Sequence, residues 1–397
     1  MKALGMYIFA GSMSIAVKEA GFEIDRILEI SDEMPEQNAK HFANNYPDIP
    51  IVKLSEWNNT IYKNQLFKEQ YDLVYGNPPC SGLSQINRHA SVDSNANKHM
   101  YNFIDMVAYI QPKAFLMENA PTLVSKGKPI LDYLVSILGN DYYIIVLRDY
   151  AMNHRVPMKR QRTMVFGFSM NHHLGVPQLK YEENRVDASE VLQAYNLSGD
   201  YTKVLNAEFV PERTCKDLEK YYNLAKPGKS IMHSLASLLE SEIKALDLSE
   251  KRIHQILDYK HKELFGKRIF DKSPNKINLT GPAPSLTSVT ELIHPIYDRP
   301  LFIREYAKLM TYPDSFEFKD NAKVPYVQAI AQGVPVNFAK WAALNIYDIL
   351  EGNANFQFRM QDLKEDTIMF VNACNYDNIV EKYYTKDSFQ QTDNICN

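Results

Sequence analysis

The sequence predicts an α/β protein with a mostly parallel sheet and a smaller, irregular second domain. Two observations support this. Over roughly the first 170 residues short apolar runs alternate with amphipathic stretches, and after about residue 172 this rhythm is lost. Strands that alternate with helices form βαβ units and therefore a largely parallel sheet. The predicted strands are residues 3–10, 24–30, 71–75, 114–117, 142–147 and 163–168, and the predicted helices among them are residues 14–20, 100–110 and 130–138.

The same pattern divides the chain into four segments. Residues 1–172 form the predicted α/β domain, and residues 173–300 form the smaller domain, with turn signals and charged helical stretches. Helical spacing returns in residues 301–350, which we assign to the first domain. Residues 351–397 are polar and rich in Asn, Asp and Gln, which predicts a partly disordered extension.

Composition argues against several classes of protein. The hydrophobic fraction of 45% and the charged fraction of 23% are those of a soluble globular protein. No signal-peptide cleavage site and no run of about eighteen apolar residues is present, so we expect a cytoplasmic protein without a membrane partner. The four cysteines lie far apart without a CxxC pair, and the histidines lack metal-ligand spacing, so we expect no metal.

A net charge of -4 argues against a protein coated in basic surface, but a local stripe is enough to contact phosphates. Residues 251–276 contain eight basic and three acidic residues. The basic ones are Lys251, Arg252, Lys260, Lys262, Lys267, Arg268, Lys272 and Lys276. This run fits a phosphate-binding surface, and it fits a solvated helix face equally well.

A cysteine follows the predicted strand at residues 71–75, in the run Gly76-Asn77-Pro78-Pro79-Cys80. Two prolines stiffen the turn, and Gly82 permits an unusual backbone just after the thiol. In such sheets ligands bind beyond the carboxyl ends of the strands, where Cys80 lies. Taken alone, the thiol is either a nucleophile or, more commonly, a buried structural cysteine.

Two further groups lie in the same domain. Glu118 ends the predicted strand at residues 114–117, and a carboxyl group in a desolvated pocket has a raised pKa and can donate a proton. Its alternative role is a helix N-terminal charge. Arg160 and Arg162 share one face if their segment is extended, so that they can orient Glu118, a base carbonyl or a phosphate. The alternative for them is an exposed basic turn.

The order of these blocks resembles that of the DNA (cytosine-5) methyltransferases over roughly residues 4–350. The six ordered blocks are Phe9-Ala10-Gly11-Ser12, Pro78-Pro79-Cys80, Glu118-Asn119, Arg160-Gln161-Arg162, residues 304–316 and residues 332–336. The resemblance implies a Rossmann-like sheet of the class I methyltransferase type. It also implies that residues 173–300 are a target-recognition domain and that residues 301–350 return to the catalytic domain.

The resemblance implies a mechanism that agrees with the chemistry of these residues. The Cys80 thiolate adds to C6 of a cytosine flipped out of DNA, so that C5 can accept a methyl group from S-adenosylmethionine. Glu118 holds or protonates N3, and Asn119 supports the same loop. Arg162 fixes the base and Glu118, and Arg160 helps to shape the site.

The resemblance also implies a cofactor site. Phe9 and Ile30 contact the adenine, Gly11 lets the backbone approach the methionine moiety, and Glu29 binds the ribose hydroxyls. Residues 332–334 close the pocket. The full predicted set is Phe9, Ala10, Gly11, Ser12, Glu29, Ile30, Asn77, Pro78, Gln332, Gly333 and Val334.

Double-stranded DNA is the expected partner, bound by a monomer. The predicted DNA contacts are Ser81, Ser84 and Arg88 after the nucleophile and Lys260, Lys262, Lys267 and Arg268 in the basic run. Thr287 or Thr290 braces the flipped-out site or belongs to a plain strand.

Several positions depart from the family pattern, mostly on the cofactor side. Met13 and Ser14 replace glycines, and residues 52–55 lack the expected aspartate. Ser81, Met158 and Gln332 replace Gln, Gln and Asn. Two explanations stay open: a remodelled pocket that still binds S-adenosylmethionine, or a different donor. Transfer to RNA and a DNA-binding relative without a working cofactor site are the remaining alternatives.

Overall fold

The computed structural model describes thirteen parts of the chain, and it divides the chain into two compact units. The described residues are 1–30, 36–54, 70–79, 97–172, 179–180, 185–193, 204–208, 215–267, 269, 271–287, 291–319, 326–352 and 368–372. The first unit comprises Met1–Arg155, Arg160–Asn184 and Gly333–Asn397, and the second comprises Val156–Lys159 and Arg185–Gln332.

Strands are numbered here in chain order through both units. They are β1 (Lys2–Met6), β2 (Glu23–Ile30), β3 (Ile51–Leu54), β4 (Leu73–Gly76), β5 (Ala114–Asn119), β6 (Tyr142–Tyr150), β7 (Met158–Lys159), β8 (Gln161–Ser169), β9 (Asn275–Lys276), β10 (Ala283–Pro284), β11 (Leu292–Ile293) and β12 (Ile368–Asn372). Eight of them form one sheet in the order β12-β6-β8-β5-β4-β1-β2-β3. The pairs among β1 to β5 are parallel, whereas β8 runs antiparallel to β5 and β6, and β12 antiparallel to β6. The mostly parallel α/β fold is therefore confirmed.

The central strands are largely apolar because both faces of the sheet are covered. Every residue of β4 and β5 is buried, as expected for parallel strands between helical layers. The helices Lys98–Ile110 and Lys128–Leu138 contribute to one core with the sheet. The helix Val336–Leu350 packs on the helix Ser12–Glu19. A further helix described in this unit is Glu36–Asn45, and short 3₁₀ turns span Pro121–Val124 and Ala151–Asn153.

The first strand is shorter than the predicted residues 3–10. β1 ends at Met6, and Tyr7 and Phe9 adopt positive φ angles of 54° and 50°. A left-handed backbone breaks the extended conformation, so the chain leaves the sheet and turns into the helix Ser12–Glu19. The residues after β1 thus form a loop at the carboxyl edge of the sheet.

Part of the predicted extension belongs to the sheet. β12, from residues 351–397, pairs antiparallel with β6, with Ile368 opposite Arg148 and Asn372 opposite Ile144. Its sequence Ile-Met-Phe-Val-Asn is apolar, and it supplies a partner for the backbone of β6.

The regular secondary structure described in the second unit is mostly helical. Its helices are Ala188–Gln193, Ile231–Ala236, Glu240–Lys244, Glu250–Leu264, Ile303–Leu309 and Tyr326–Gln332, with a 3₁₀ helix over Lys216–Leu224. Short parallel pairs join β7 to β10 and β9 to β11. A small core forms around Leu218, Ile231, Leu235, Ile243 and Ile256.

The compact units divide the predicted segment 301–350 at Gly333. Contacts of Arg304 give a physical reason why residues 301–332 belong to the second unit. The buried Arg304 guanidinium donates to Leu205 O at 2.9 Å and to Pro313 O at 3.1 Å, and it also donates to Phe316 O. These partners lie in the second unit. The functional names of the four segments stay predictions.

Within the described ranges, no helix has the length and apolarity needed to cross a membrane, and no cluster of three or more His, Cys, Asp or Glu residues is placed to hold a metal ion.

Candidate active site

The site begins at the carboxyl ends of β4 and β5, which are adjacent and parallel, with Gly76 opposite Met117. β4 leads through Asn77, which is buried, to Pro78 and Pro79. Cys80 follows directly, but it lies outside the described residues, as do the predicted DNA contacts Ser81, Ser84 and Arg88.

Asn119 ties these two strand ends together. It is 1% exposed, and its Nδ2 donates to Pro78 O at 3.0 Å. Its Oδ1 accepts from the backbone N–H of Ala120 at 2.9 Å. Both ends of the amide are therefore used, and the residue two positions before Cys80 is fixed to the end of β5. This contact fits the loop-supporting role predicted for Asn119.

Glu118 is 2% exposed and faces an arginine. In the antiparallel pairing of β5 and β8 it lies opposite Met164, so Arg162 is its diagonal neighbour on the same face. The distance from Arg162 Nε to Glu118 Oε1 is 2.9 Å. The geometry is that of an ion contact, and among the described residues Oε1 has no hydrogen-bond donor.

The pKa of Glu118 is raised above its ordinary value because burial penalises the charged carboxylate. Arg162 and Arg160 oppose that effect without reversing it. A buried carboxyl with a raised pKa keeps its proton to a higher pH than an exposed carboxyl does and can donate it to a ligand.

Arg160 is 1% exposed, so the alternative of an exposed basic turn is wrong for it. Its Nη2 donates to Gly333 O at 3.0 Å, and its own carbonyl accepts from Ala151 N–H at 2.7 Å. Two predicted blocks, Arg160-Gln161-Arg162 and residues 332–336, therefore meet at this guanidinium. Arg162 is more open, with 20% of its side chain exposed, and its Nη1 donates to Gln161 O at 2.8 Å.

A second buried carboxyl lies in β2, beside the loop that follows β1. Glu29 is 6% exposed, and its Oε1 accepts from Ile8 N–H at 2.7 Å. Burial raises the pKa of Glu29 to about 7, although the Ile8 N–H opposes the shift. Its Oε2 has no hydrogen-bond partner in the described part of the chain. A hydroxyl-rich ligand such as a ribose would satisfy that oxygen.

The loop beside Glu29 contains the first predicted cofactor block. Phe9 is 8% exposed and Ala10 is buried. Gly11 precedes the helix Ser12–Glu19 with a φ of 87°. Ser12 is buried, and its Oγ is without a partner among the described residues. Two buried, unsatisfied oxygens, Ser12 Oγ and Glu29 Oε2, thus belong to predicted cofactor residues, and this donor and acceptor set fits the polar groups of a nucleoside.

The two replaced glycines of this block are both accommodated inside the first unit. Ser14 is fully buried, and its Oγ accepts from Tyr75 OH at 2.9 Å. Met13 is 1% exposed, in the same helix. The Ser14 side chain is therefore occupied by a contact with β4.

The other predicted cofactor residues have separate positions. Gly333 and Val334 are in the first unit, and Val334 is buried, while Gln332 ends the helix Tyr326–Gln332 of the second unit. Ile30 ends β2, but its side chain lies outside the described part. Ser55, in the segment 52–55 where an aspartate was expected, also lies outside the described residues.

Gly11 makes a strong prediction about stability. A Cβ at this position would lie 2.3 Å from Phe42 Cδ2 and 2.8 Å from Phe42 Cβ. Left-handed backbone costs a non-glycine residue about 1–2 kcal/mol, and overpacking a core costs about 1–3 kcal/mol more. We therefore expect Gly11→Ala to lower the free energy of unfolding by about 2–5 kcal/mol, measured by chemical denaturation.

Gly352→Ala is the matched control in the same unit. Gly352 has a φ of 75°, and no atom of the described residues lies within 4 Å of an added Cβ, so this variant is expected to lose only the backbone contribution. Equal losses in the two variants would contradict a steric role for Phe42.

The basic run of the second unit is largely occupied by protein partners. Lys260 Nζ donates to Ala236 O at 3.0 Å, at the end of the helix Ile231–Ala236, and to Leu238 O at 2.7 Å, just after it. Lys262 pairs with Asp258 at 2.5 Å. Lys267 is exposed, and Arg268 lies outside the described residues. Thr287 follows β10 without being part of a strand, and Thr290 is not described.

Lys260 is therefore expected to stabilise the second unit. Lys260→Met removes two charge-assisted hydrogen bonds to helix-end carbonyls and should cost about 1–3 kcal/mol of unfolding free energy. Lys262→Met, on the exposed face of the same helix Glu250–Leu264, is expected to leave the unfolding midpoint unchanged. An unchanged midpoint in the Lys260 variant would refute this role.

Sequence reasoning missed a buried polar pair next to the arginines. Asp149 and His154 are both buried and lie 2.8 Å apart, from His154 Nε2 to Asp149 Oδ2. The signal available in the sequence was a charged residue near the end of an apolar strand, eleven positions before Arg160.

The chain is similar in sequence to known proteins. The family model described as C-5 cytosine-specific DNA methylase matches residues 1–348. The type II methyltransferase M.XorII of Xanthomonas oryzae pv. oryzae is 27% identical over 355 residues, covering 80% of this chain and 78% of that protein. M.PspPI of a Psychrobacter species is 25% identical over 353 residues, covering 84% and 76%.

Solved structures show the same fold. An Escherichia coli prophage protein described as a DNA modification methyltransferase has a TM-score of 0.59 at 20% identity, over 88% of this chain and 99% of its own. Entamoeba histolytica methyltransferase EhMeth has a TM-score of 0.56 at 12% identity, over 88% and 98%. The family model covers most of the chain. The chain therefore belongs to the C-5 cytosine-specific DNA methylase family and is a methyltransferase.

Proposed function

We propose that this enzyme methylates C5 of a cytosine flipped out of double-stranded DNA, using S-adenosylmethionine and a transient bond from Cys80 to C6. The observation that carries the proposal is the arrangement at two strand ends. Buried Glu118 contacts Arg162 at 2.9 Å, and its neighbour Asn119 holds Pro78, two residues before Cys80.

Cys80 would begin the reaction. C5 of cytosine is a poor nucleophile because it is part of an aromatic ring. When the thiolate forms a bond to C6, the C5–C6 double bond is broken and its electrons shift through the ring toward N3. The thiol must lie at a fixed point near the base, and the Asn119 contact to Pro78 O supports that requirement.

Glu118 would deliver the proton that N3 needs as charge builds there. A general acid works best when its pKa is near the working pH, and burial raises the pKa of this carboxyl. Arg162 holds the carboxyl by its ion contact. After C5 is methylated, loss of the C5 proton to a base, departure of the Cys80 thiolate and return of the N3 proton to Glu118 restore the aromatic ring and the starting enzyme.

S-adenosylmethionine, when bound, supplies the methyl group. Glu29 Oε2 would accept from ribose hydroxyls and Ser12 Oγ would contact a polar group, since both atoms are buried without partners among the described residues. Phe9, with Ala10 and Gly11, would lie against the cofactor, and Gly333 and Val334 would close its pocket near Arg160. Asn77 and Pro78 would line the side toward Cys80.

DNA would be bound by a monomer, with its target base turned out of the stack because duplex stacking hides C5 and C6. Since Lys260 is occupied by backbone carbonyls, exposed Lys267 is the better candidate for a phosphate contact. Ser81, Ser84, Arg88 and Arg268 complete the proposed DNA contacts.

Mass spectrometry of nucleosides tests the proposal. Duplex DNA of mixed sequence and tRNA compete in one reaction with S-adenosylmethionine that has a deuterated methyl group. We expect labelled 5-methyl-2′-deoxycytidine from the DNA only. Label in the RNA, a different group on cytosine, or no modified nucleoside would contradict the substrate, the donor or the activity, respectively.

A further inference from the structure

A buried carboxylate lies near the end of β6. Asp149 has no exposed surface. Its Oδ1 accepts from Asn153 Nδ2 at 2.8 Å and from Tyr150 N–H at 2.7 Å, and its Oδ2 contacts His154 Nε2 at 2.8 Å. An ionised group inside a protein is retained only with several good partners, because its desolvation is costly. Within the described part of the chain three such groups contact Asp149, and two of them come from the turn that follows it.

His154 is held from its other side by aromatic rings. It stacks on Phe338 with the centroids 4.5 Å apart and an interplanar angle of 10°, and it lies 4.3 Å from the Trp341 ring. Both rings belong to the helix Val336–Leu350, which follows the block that contains Gly333. Stacking sets the plane of the imidazole, and the bond to Asp149 sets its rotation.

The turn at residues 151–155 connects this pair to Arg160. Ala151 N–H donates to Arg160 O at 2.7 Å, and His154 N–H donates to Ala151 O at 2.9 Å. Arg155 adopts a φ of 58°, and its carbonyl accepts from Asn337 Nδ2 at 3.0 Å. The turn is therefore hydrogen-bonded both to Arg160 and to the helix Val336–Leu350.

The pair also lies beside the second arginine. In the register of β6 and β8, Asp149 is opposite Arg162. Arg162 in turn makes the ion contact to Glu118. The Asp149 side chain thus holds the turn that bonds to the backbone of Arg160. The Asp149 backbone pairs with Arg162, which contacts Glu118.

We infer that Asp149 and His154 are positioning residues for methyl transfer, acting through Arg160 and Arg162 on Glu118. This inference rests on the proposed function. A pair that only stabilised the fold would be replaceable by apolar side chains of similar volume. Here the donors of Asp149 set the register of the turn, and a small displacement of an active-site group is enough to slow catalysis strongly.

His154→Phe tests the inference because phenylalanine keeps the stacked ring but loses the bond to Asp149. We expect kcat to fall about tenfold to a hundredfold, with KM for S-adenosylmethionine unchanged. The alkaline limb of the kcat profile should move to higher pH, because the arginines that lower the pKa of Glu118 are displaced. His154→Gln, which can still donate to Asp149, should restore most of kcat and the original pH limb.

Tyr142→Phe is the matched control, at the other end of β6. It loses a buried hydrogen bond of 2.7 Å to Pro112 O, so it should lower the unfolding midpoint without changing kcat. If His154→Phe lowers only the unfolding midpoint, and kcat and the pH limb stay as in the wild type, the inference is overturned. A wild-type enzyme that transfers no methyl group would instead overturn the proposed function, and the two failures are distinguishable.

Discussion

Glu118→Gln is expected to lower kcat for methyl transfer by a factor of about 10²–10⁴, the usual contribution of a general acid. Glutamine has nearly the same shape and keeps a carbonyl oxygen beside Arg162, but it has no acidic proton to give to N3. The wild-type carboxyl is buried and its pKa is raised above the ordinary value, which favours the protonated form that can donate to N3. Steady-state kinetics at saturating S-adenosylmethionine measure the effect.

Glu29→Gln is the matched control for this variant, since both positions are buried carboxyls beside the carboxyl edge of the sheet. It should leave kcat close to the wild-type value once the cofactor is saturating. If the two variants lowered kcat equally, the assignment of proton donation to Glu118 would be wrong.

The second large effect concerns the pH dependence of cofactor binding through Glu29. Burial raises the pKa of Glu29 to about 7, so its carboxylate forms only as the pH approaches neutrality. Ribose hydroxyls donate to a carboxylate better than to a neutral carboxyl. The dissociation constant of S-adenosylmethionine should therefore fall roughly tenfold for each pH unit of increase below that pKa and level off above it, as calorimetry would show.

Glu29→Gln should raise the dissociation constant about tenfold to a hundredfold, because a hydrogen bond to a charged group is worth about 1.5–3 kcal/mol. It should also remove the pH dependence. Glu118→Gln serves as the reciprocal control and should keep the wild-type dissociation constant and its pH dependence. A wild-type dissociation constant that does not change with pH would exclude the proposed contact.

The same shift links folding to pH in the protein without cofactor. The unfolded carboxyl ionises near 4.5 and the folded one near 7, so between these values the unfolded state holds fewer protons. Stability from this group is therefore fully present below pH 4.5 and is lost as the pH rises to 7, by about 3 kcal/mol. The difference in the free energy of unfolding between wild type and Glu29→Gln, measured as a function of pH, isolates this contribution.

The parts of the fold that the sequence predicts are those with a strong local pattern. β4 and the first four residues of β5 are apolar because both of their faces are buried, and Cys80 and Glu118 could be singled out because they follow such runs. β3 was missed because it has only four residues, one of them Lys53. β12 was missed because its apolar residues lie in a polar segment and it is stabilised by pairing with β6.

The details of the site depend on contacts that no local pattern contains. The end of β1 at Met6 results from positive φ angles at Tyr7 and Phe9. Lys260 has the sequence context of a phosphate-binding lysine, but its ammonium lies on two helix-end carbonyls. The meeting of Arg160 with Gly333 joins residues that are 173 positions apart.

The central claim is that Cys80 forms a bond to C6 of the target cytosine. The direct measurement is reaction of the enzyme and S-adenosylmethionine with duplex DNA in which cytosine is replaced by 5-fluorocytosine, since fluorine cannot leave C5 as a proton does. We predict a covalent protein–DNA complex that peptide mapping locates at Cys80 and that Cys80→Ser does not form. A complex at another residue, or none on DNA of mixed sequence that the wild type methylates, would contradict the account.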